Sequence, residues 1–214
     1  MYDEKWLINA IKQGENEFQD FKQTIPSSEK IAKTIGAFSN ANGGRLIIGV
    51  KDNGKVLGVS ITEEAYMIQA AYEKFLKNVI PLKLHIINHE NKKVLVVEIY
   101  PNEHAVALAY SSEKNKWLAY TRFKDKTVLL GFIGYKFLVE SKQNGLLSTF
   151  DINEKRITSY ISKKTPTKSI TLNEVKKNLK ITRNQSIIAI LNLLKLGILK
   201  LDYSYDEERF LLAE

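Results

Sequence analysis

Residues 29–54 read EKIAKTIGAFSNANGGRLIIGVKDNG, and this stretch decides the fold. Its first half carries the apolar residues Ile31, Ile35 and Phe38 at helical spacing, which predicts a helix from Glu29 to Asn40. The two glycines that follow predict the end of this helix, because glycine adopts the left-handed C-cap conformation without strain. The apolar run RLIIGV then predicts a buried strand, and the Asp-Asn-Gly triplet predicts a hairpin turn.

The flanking residues predict further helices and strands. Upstream lie a short helix over 5–12 and a strand over 17–22, with Ser27 or Ser28 as the N-cap of the central helix. Downstream, residues 55–59 return as the second strand of the hairpin. Thr62 is then predicted to cap a long helix that ends near residue 78.

Two strand pairs are predicted beyond this helix. They comprise residues 83–88 with 93–100, joined by a turn at Glu90-Asn91, and residues 105–110 with 116–122. Helices and antiparallel hairpins in this order are typical of an α+β domain.

Three stretches of the sequence resemble the Schlafen-type AlbA-like domain. They are GENEFQDFK at residues 14–22, the helix and strand pattern over residues 31–54, and the triplet Tyr-Thr-Arg at 120–122. The resemblance covers most of residues 1–130. It implies a mixed sheet-and-helix domain over residues 1–135, and it implies nucleic-acid binding.

Three carboxylates near these motifs are candidates for metal chemistry. Some Schlafen relatives cleave RNA through an acidic triad, and the resemblance places that triad at Glu15, Asp20 and Asp52. Carboxylate oxygens are the ligands that Mg²⁺ and Mn²⁺ prefer. Asp20 stands where the family usually has the longer Glu. Structural roles are the alternative: turn formation for Asp52, and ion pairs with Lys22 or Arg45 for the other two.

Basic residues near the same motifs are candidates for phosphate contacts. They are Lys22, Arg45, Lys51, Arg122, Lys124 and Lys126. Phe123 and Trp117 are candidates for base stacking, and packing in the core or in a hairpin is the alternative for both.

The pattern changes to closely spaced helices in the last third of the chain. Residues 136–152 are predicted as a linker or connecting helix, with helical spacing over 133–141 and a break at Asn144-Gly145. Helices follow over 153–163, 172–179 and 183–196, the first two separated by residues 165–167, and strands follow over 199–203 and 209–212. This order, with SITLNEV at 169–175 and LKIT at 179–182, resembles a small winged helix-turn-helix domain over residues 153–214.

A winged helix-turn-helix implies DNA contact through the first turn of its third helix. The core that would join the helices is Val175, Leu179, Ile187, Ile190, Leu191 and Leu194. The candidate nucleic-acid-binding residues left outside it are Lys176, Lys177, Lys180, Thr182, Arg183, Asn184 and Gln185. The wing carries Asp202, Asp206, Glu207 and Glu208, whose charge opposes insertion into the minor groove. Such domains also serve in dimerisation and protein binding.

The amino-acid composition excludes several functional classes of protein. The chain has 214 residues, 32 Lys and Arg against 24 Asp and Glu, and no Cys. Residues 151–200 hold 11 basic and 3 acidic side chains, which favours a polyanionic partner. The absence of Cys excludes disulfides and a thiol nucleophile, and the sequence lacks P-loop and nucleophile-elbow motifs. Without a long apolar run, we expect a soluble cytoplasmic protein.

Together these features favour a nucleic-acid-binding protein, a DNA-binding transcriptional regulator without enzymatic activity or cofactor. DNA is the expected partner, RNA a further one, and palindromic operators would require a homodimer. One alternative is a metal-dependent endoribonuclease, with Mg²⁺ or Mn²⁺ on Glu15, Asp20 and Asp52. Another is a protein-interaction module.

Overall fold

The computed structural model describes residues 2–78, 82–143, 150–164 and 169–213. These residues form helices and sheets together, which confirms the predicted α+β class. The chain divides into two compact units, residues 1–129 and 130–214. Within the described ranges, no helix is long and apolar enough to cross a bilayer.

The first unit combines helices with short and long strands. Its helices are α1 (Glu4–Gln13), α2 (Ser28–Asn40) and α3 (Ile61–Phe75). Its strands are β1 (Gln19–Lys22), β2 (Gly44–Ile48), β3 (Leu76–Lys77), β4 (Leu82–His89), β5 (Lys92–Ile99), β6 (Leu108–Ser111), β7 (Lys116–Leu118), β8 (Tyr120–Phe123) and β9 (Lys126–Leu129). The predicted helices at 5–12 and 29–40 are confirmed, and the Ser27 hydroxyl caps α2.

Strand β2 lies inside a four-stranded sheet of order β1-β2-β5-β4. It pairs parallel with β1 and antiparallel with β5, which also pairs antiparallel with β4. Leu46 and Val97 belong to the core that includes α2 and α3, and Ile47 and Val96 to the core that includes α1. Because alternate residues of a strand face opposite sides, a strand covered on both faces must be apolar throughout.

The hairpin predicted after β2 is confirmed only as a short turn. Residues 51–54 form the turn, and the returning residues pair through the Val50–Val56 bridge and the hydrogen bonds beside it, from the Lys51 N–H to the Lys55 carbonyl and from the Leu57 N–H to the Gly49 carbonyl, but they form no strand. Both edges of β2 are occupied, by β1 and β5, so no edge is left for a returning strand. The chain crosses towards β5 instead, where the Val59 N–H donates to the Lys93 carbonyl at 2.9 Å.

Two other predictions need correction. Helix α3 begins at Ile61 with Ser60 as its N-cap, so Thr62 lies inside the helix. The strand pair predicted over 105–110 and 116–122 divides into two ladders, β6 with β7 and β8 with β9. The turn at Glu90-Asn91 is confirmed, with φ of 45° and 61°, as a tight antiparallel hairpin requires.

Asn40, at the end of α2, joins this helix to the later strands. Its side-chain oxygen accepts from the Ala107 N–H at 2.8 Å. Its amide nitrogen donates to the Ala107 carbonyl at 2.8 Å and to the Tyr120 carbonyl at 2.9 Å. A buried amide thus satisfies backbone groups of two segments that have no ladder with α2.

The second unit consists of four helices and a small sheet in its described residues. The helices are α4 (Phe132–Lys142), α5 (Ile152–Ser162), α6 (Leu172–Leu179) and α7 (Arg183–Lys195). The strands are β10 (Ser169–Ile170), β11 (Leu199–Asp202) and β12 (Arg209–Leu212), in the sheet order β10-β12-β11. The predicted helices and the β11–β12 hairpin are confirmed, whereas β10 was not predicted. The breaks predicted at 144–145 and 165–167 lie outside the described residues.

Side-chain caps define the starts of α6 and α7. Thr171 and Glu174 form a reciprocal capping box at the start of α6, and Thr182 and Gln185 form one at the start of α7. Lys180 between them is left-handed, with φ of 50° and ψ of 42°. The predicted caps at Thr171 and Thr182 are therefore confirmed.

Helix α4 packs on the C-terminal half of α7 and is held at both of its ends. At its start, the Glu208 carboxylate accepts from the Ile133 N–H at 3.0 Å and the Gly134 N–H at 2.6 Å. Towards its end, Glu140 pairs with Lys195 of α7 at 2.6 Å. Glu208 is therefore a capping carboxylate at a helix N-terminus, where negative charge is stabilising.

We expect Glu208→Gln to lower the free energy of unfolding by about 1 kcal/mol, because it weakens charged hydrogen bonds at the start of α4. Urea unfolding followed by circular dichroism measures this change. Asp206→Asn removes a neighbouring exposed carboxylate and serves as the control. Equal unfolding midpoints for both variants would contradict the capping role.

Candidate nucleic-acid interface

Two of the predicted acidic residues lie together at the start of β1. Asp20 is 5% exposed, and its carboxylate pairs with the Lys22 ammonium at 2.7 Å. Glu15 accepts from the Phe21 N–H at 2.8 Å. Burial raises the pKa of Glu15, and the neighbouring Asp20 raises it further against the hydrogen bond from Phe21. Ionisation of Glu15 beside Asp20 is therefore disfavoured.

Asp52 lies apart from that pair, in the exposed turn after β2. Among the described residues, no group of three or more His, Cys, Asp or Glu side chains is placed to hold a metal ion. One oxygen of each carboxylate is engaged, Oδ2 of Asp20 by the Lys22 ammonium and Oε1 of Glu15 by the Phe21 N–H. The three predicted carboxylates therefore do not fit a divalent-cation site as the described residues place them.

Arg122 is buried rather than available on the surface, with 8% exposure. Its guanidinium donates to the Asn16 carbonyl at 3.1 Å and to the Thr127 hydroxyl at 3.2 Å, and it lies 4.5 Å from the Phe38 ring centre. Burial lowers the pKa of Arg122, whereas the negative charges of Asp20 and its neighbours raise it. The geometry assigns this cation to packing and to neutralising the acidic pair.

The remaining basic candidates of the first unit are dispersed. Lys22 is tied to Asp20, and Lys51 lies in the turn after β2. Lys124 is at the exposed β8–β9 turn, with its ammonium 5.6 Å from the Phe123 ring centre, and Lys126 begins β9. Trp117 packs between Tyr110 and Lys77.

Arg45 is held by a network that the sequence did not indicate. Its Nε donates to the Tyr2 hydroxyl at 3.0 Å, and that hydroxyl donates to Glu98 at 2.8 Å. The same carboxylate contacts His85 at 3.1 Å and accepts from Tyr100 at 2.8 Å. Burial acts to raise the pKa of Glu98, but these three hydrogen bonds outweigh burial and leave it lowered.

A polar pocket of about 520 Å³ lies beside this network. Arg45 and Tyr100 line it together with Phe18, whose side chain is 43% exposed. The sequence indicated Arg45 as a phosphate contact but did not indicate Phe18. The exposure of this ring is visible only in the structure, because the sequence predicts Phe18 as one more apolar residue of a strand.

The candidate residues of the second unit are brought together at the α6–α7 turn. All seven are exposed: Lys176, Lys177, Lys180, Thr182, Arg183, Asn184 and Gln185. The amide oxygen of Gln185 already accepts from the Thr182 N–H at 2.9 Å. That leaves the side chains of Arg183 and Asn184, and the amide nitrogen of Gln185, for contacts beyond the helix.

Three of the four acidic residues predicted for the wing, in and around the β11–β12 loop, have partners within the second unit. Glu208 caps α4, and Glu207 pairs with Arg209. The Asp202 carboxylate accepts from the Ser204 N–H at 3.0 Å. Much of the wing's negative charge is therefore engaged in holding its own conformation.

Residues 15–130 match the model of the family described as Schlafen, AlbA_2, and the chain belongs to that family. The resemblance found in the sequence is confirmed over this range, and residues 131–214 lie outside the match. No curated protein matches the chain.

Two solved structures are similar to it. One is the DIP2311 protein from Corynebacterium diphtheriae, with 13% identity and a TM-score of 0.43 over 68% of this chain and 33% of that one. This chain therefore spans about a third of that protein's length. The other is the N-terminal domain of an ATP-dependent DNA helicase RecG-related protein from Nitrosomonas europaea, with 15% identity and a TM-score of 0.40 over 61% of this chain and 90% of that one.

We expect Glu15→Gln to stabilise the protein slightly at pH 7, because the amide keeps the acceptor for the Phe21 N–H and removes repulsion from Asp20. A raised carboxyl pKa costs stability above the ordinary value of 4.5, where the unfolded chain ionises more readily. The advantage should therefore vanish as the pH falls below that value. Urea midpoints measured between pH 4 and 8 test this, and a variant less stable than wild type at pH 7 would contradict it.

We expect Arg122→Gln to destabilise the fold by about 2 kcal/mol or more, because it removes the buried hydrogen bonds to Asn16 and Thr127 and a positive charge that, with Lys22, balances Asp20 and Glu15. Thermal unfolding measures the change. Lys124→Gln, at the adjacent exposed turn, is the matched control and should leave the melting temperature unchanged. An unchanged melting temperature for Arg122→Gln would contradict the structural role and make Arg122 a candidate for phosphate contact again.

Proposed function

We propose that this chain is a DNA-binding transcriptional regulator whose second unit is a winged helix-turn-helix domain. The order α5, β10, α6, α7, β11, β12 supports this assignment, together with the single sheet that joins the three strands. Membership of the Schlafen, AlbA_2 family supports a nucleic-acid-binding role for the first unit.

The exposure pattern of α7 carries the proposal. In its first two turns, the exposed residues are Arg183, Asn184, Gln185 and Ile188. From Ala189 to Leu194 every residue is buried, beneath α4, α5 and the sheet. Only the start of the helix is therefore accessible, and it carries an Arg and amides that can pair with guanine and adenine edges in the major groove.

The neighbouring positive charge supports phosphate contact. Lys176 and Lys177 are exposed on α6, and Lys180 follows in the turn. Arg156 of α5 donates to the Leu179 carbonyl at the end of α6, which fixes the chain just before Lys180. Cations on the helix that precedes a recognition helix are suited to hold the phosphate backbone while the recognition helix enters the groove.

The nuclease alternative lacks a structural basis, because the acidic residues do not form a metal-binding group within the described residues. The protein-interaction alternative predicts no salt-dependent binding to DNA. Salt-dependent binding to duplex DNA therefore distinguishes the regulator from both alternatives.

We expect Arg183→Ala to weaken binding to a selected duplex by about 1–3 kcal/mol and to relax the preference for its sequence, because a base-edge contact is lost. Lys177→Ala should weaken binding to all duplexes alike and lower the salt slope by about 1. The duplex is obtained by selection from a random pool, and affinity is measured by fluorescence anisotropy over a range of salt concentrations.

Lys136→Ala, on the exposed side of α4, is the matched control for lost charge and should bind like wild type. If all three variants bind equally, α7 does not contact DNA. Metal-dependent cleavage of structured RNA that Glu15→Gln abolishes would instead establish the nuclease.

A further inference from the structure

We propose that the pocket between Phe18 and Arg45 binds a single unpaired nucleotide, with the base stacked on Phe18 and the phosphate on Arg45. The inference rests on the proposed nucleic-acid-binding role of the first unit and adds a site and a form of ligand to it. The nucleotide comes from a single strand or is free in solution, and the experiment distinguishes these two sources.

The pocket has the size and lining of a ligand site. Its volume of about 520 Å³ lies within the range of about 300–1,000 Å³ that small-molecule sites occupy. Polar and apolar groups from separate segments converge on it, among them Asn16, Phe18, Asn42, Arg45, Tyr100 and Pro101. The carboxylates of Glu17 and Glu98 also line it, and Glu98 is held by its own donors. All of these residues belong to the first unit.

Arg45 is preorganised for an anion. Its Nε donates to the Tyr2 hydroxyl, and its guanidinium lies 5.8 Å from the Trp6 ring centre. Within the described part of the chain, no carboxylate pairs with Arg45 and no acceptor binds its two terminal nitrogens. Paired terminal N–H groups on a fixed guanidinium are suited to bidentate phosphate binding.

Glu98 does not compete for this cation. Three donors, from Tyr2, His85 and Tyr100, occupy its two oxygens at 2.8–3.1 Å. The network therefore holds Arg45 through the Tyr2 hydroxyl without neutralising it directly. Among the described residues, this half-buried arginine makes no direct ion pair, and its unbound terminal N–H groups at a pocket are suited to an anionic ligand.

Phe18 supplies an accessible ring on a fixed backbone. Its N–H donates to the Asn16 side-chain oxygen at 2.8 Å, and its carbonyl accepts from the Arg45 N–H at 2.9 Å. The ring is 43% exposed and lies outside the three cores of the described residues. Exposed aromatic rings beside a basic group are stacking platforms for single-stranded bases.

The Phe18 carbonyl bond also sets the spacing of the two groups. Because Phe18 and Arg45 are joined by a backbone hydrogen bond, the ring and the guanidinium belong to adjacent strand ends. The base and the phosphate of one nucleotide are also adjacent, so one nucleotide can contact both side chains. A duplex would not fit the same site, since its bases are stacked on each other.

The test compares Phe18→Ala and Arg45→Gln with wild type, using a labelled single strand of about 12 nucleotides of mixed A and C. Each variant should raise the dissociation constant about tenfold, because stacking or the phosphate contact is lost. Tyr66→Ala removes a ring that is 65% exposed on α3, outside the pocket, and should bind like wild type. Thermal unfolding of each variant confirms that it is folded.

Competition with AMP identifies the source of the ligand. If AMP displaces the strand at a concentration near its own dissociation constant measured on wild type, the site takes free nucleotides, and if it does not, the site takes single strands. Wild-type affinity in both Phe18→Ala and Arg45→Gln would overturn the inference. Arg183→Ala keeps the pocket intact, so loss of duplex binding in that variant with unchanged single-strand binding separates this site from the proposed function of α7.

Discussion

The passage from α2 into β2 is the constraint on which the first unit depends. A Cβ on Gly44 would lie 2.3 Å from the Phe38 ring, and a Cβ on Gly43 would lie 2.7 Å from the Ile99 carbonyl. The two glycines therefore let the helix turn directly into the strand while Phe38 packs against the strand's first residue. Strand β2 takes β1 on one edge and β5 on the other, and this arrangement sets the position of every element around it.

Phe38 connects the passage from α2 into β2 with the candidate site, because its ring contacts both. Its ring packs near Gly44 and lies 4.5 Å from the Arg122 guanidinium. Arg122 in turn binds the Asn16 carbonyl and neutralises the acidic residues at the start of β1. Arg122, which the sequence predicts as a phosphate contact, is thus part of the packing of the first unit. Glu15 and Asp20, which the sequence predicts as metal ligands, belong to the same packing. Arg45 differs from Arg122, because it is half-buried at a pocket and is linked to Glu98 only through the Tyr2 hydroxyl.

Local signals predicted much of the fold, because their causes lie within a few residues. The helix at 29–40 follows from its periodicity, and the cap at Thr182 follows from a capping box of four residues. The hairpin after β2 stays short because the edges of β2 are taken by strands far away in sequence. The burial of Arg122 and the network around Arg45 also depend on distant residues, so side-chain type alone placed both among the surface candidates.

The second unit shows how packing determines which part of a helix can bind. Helix α4 covers the C-terminal half of α7, and it is held there by the Glu140–Lys195 pair and by the Glu208 cap from the β11–β12 loop. One carboxylate of this acidic loop is thereby turned inward, where its charge stabilises a helix N-terminus, whereas Asp206 and Glu207 stay exposed. The same contact confines exposure to the first two turns of α7. Any groove contact must then be made end-on, by Arg183 and Asn184, so specificity would depend on few base edges and affinity on the lysines of α6.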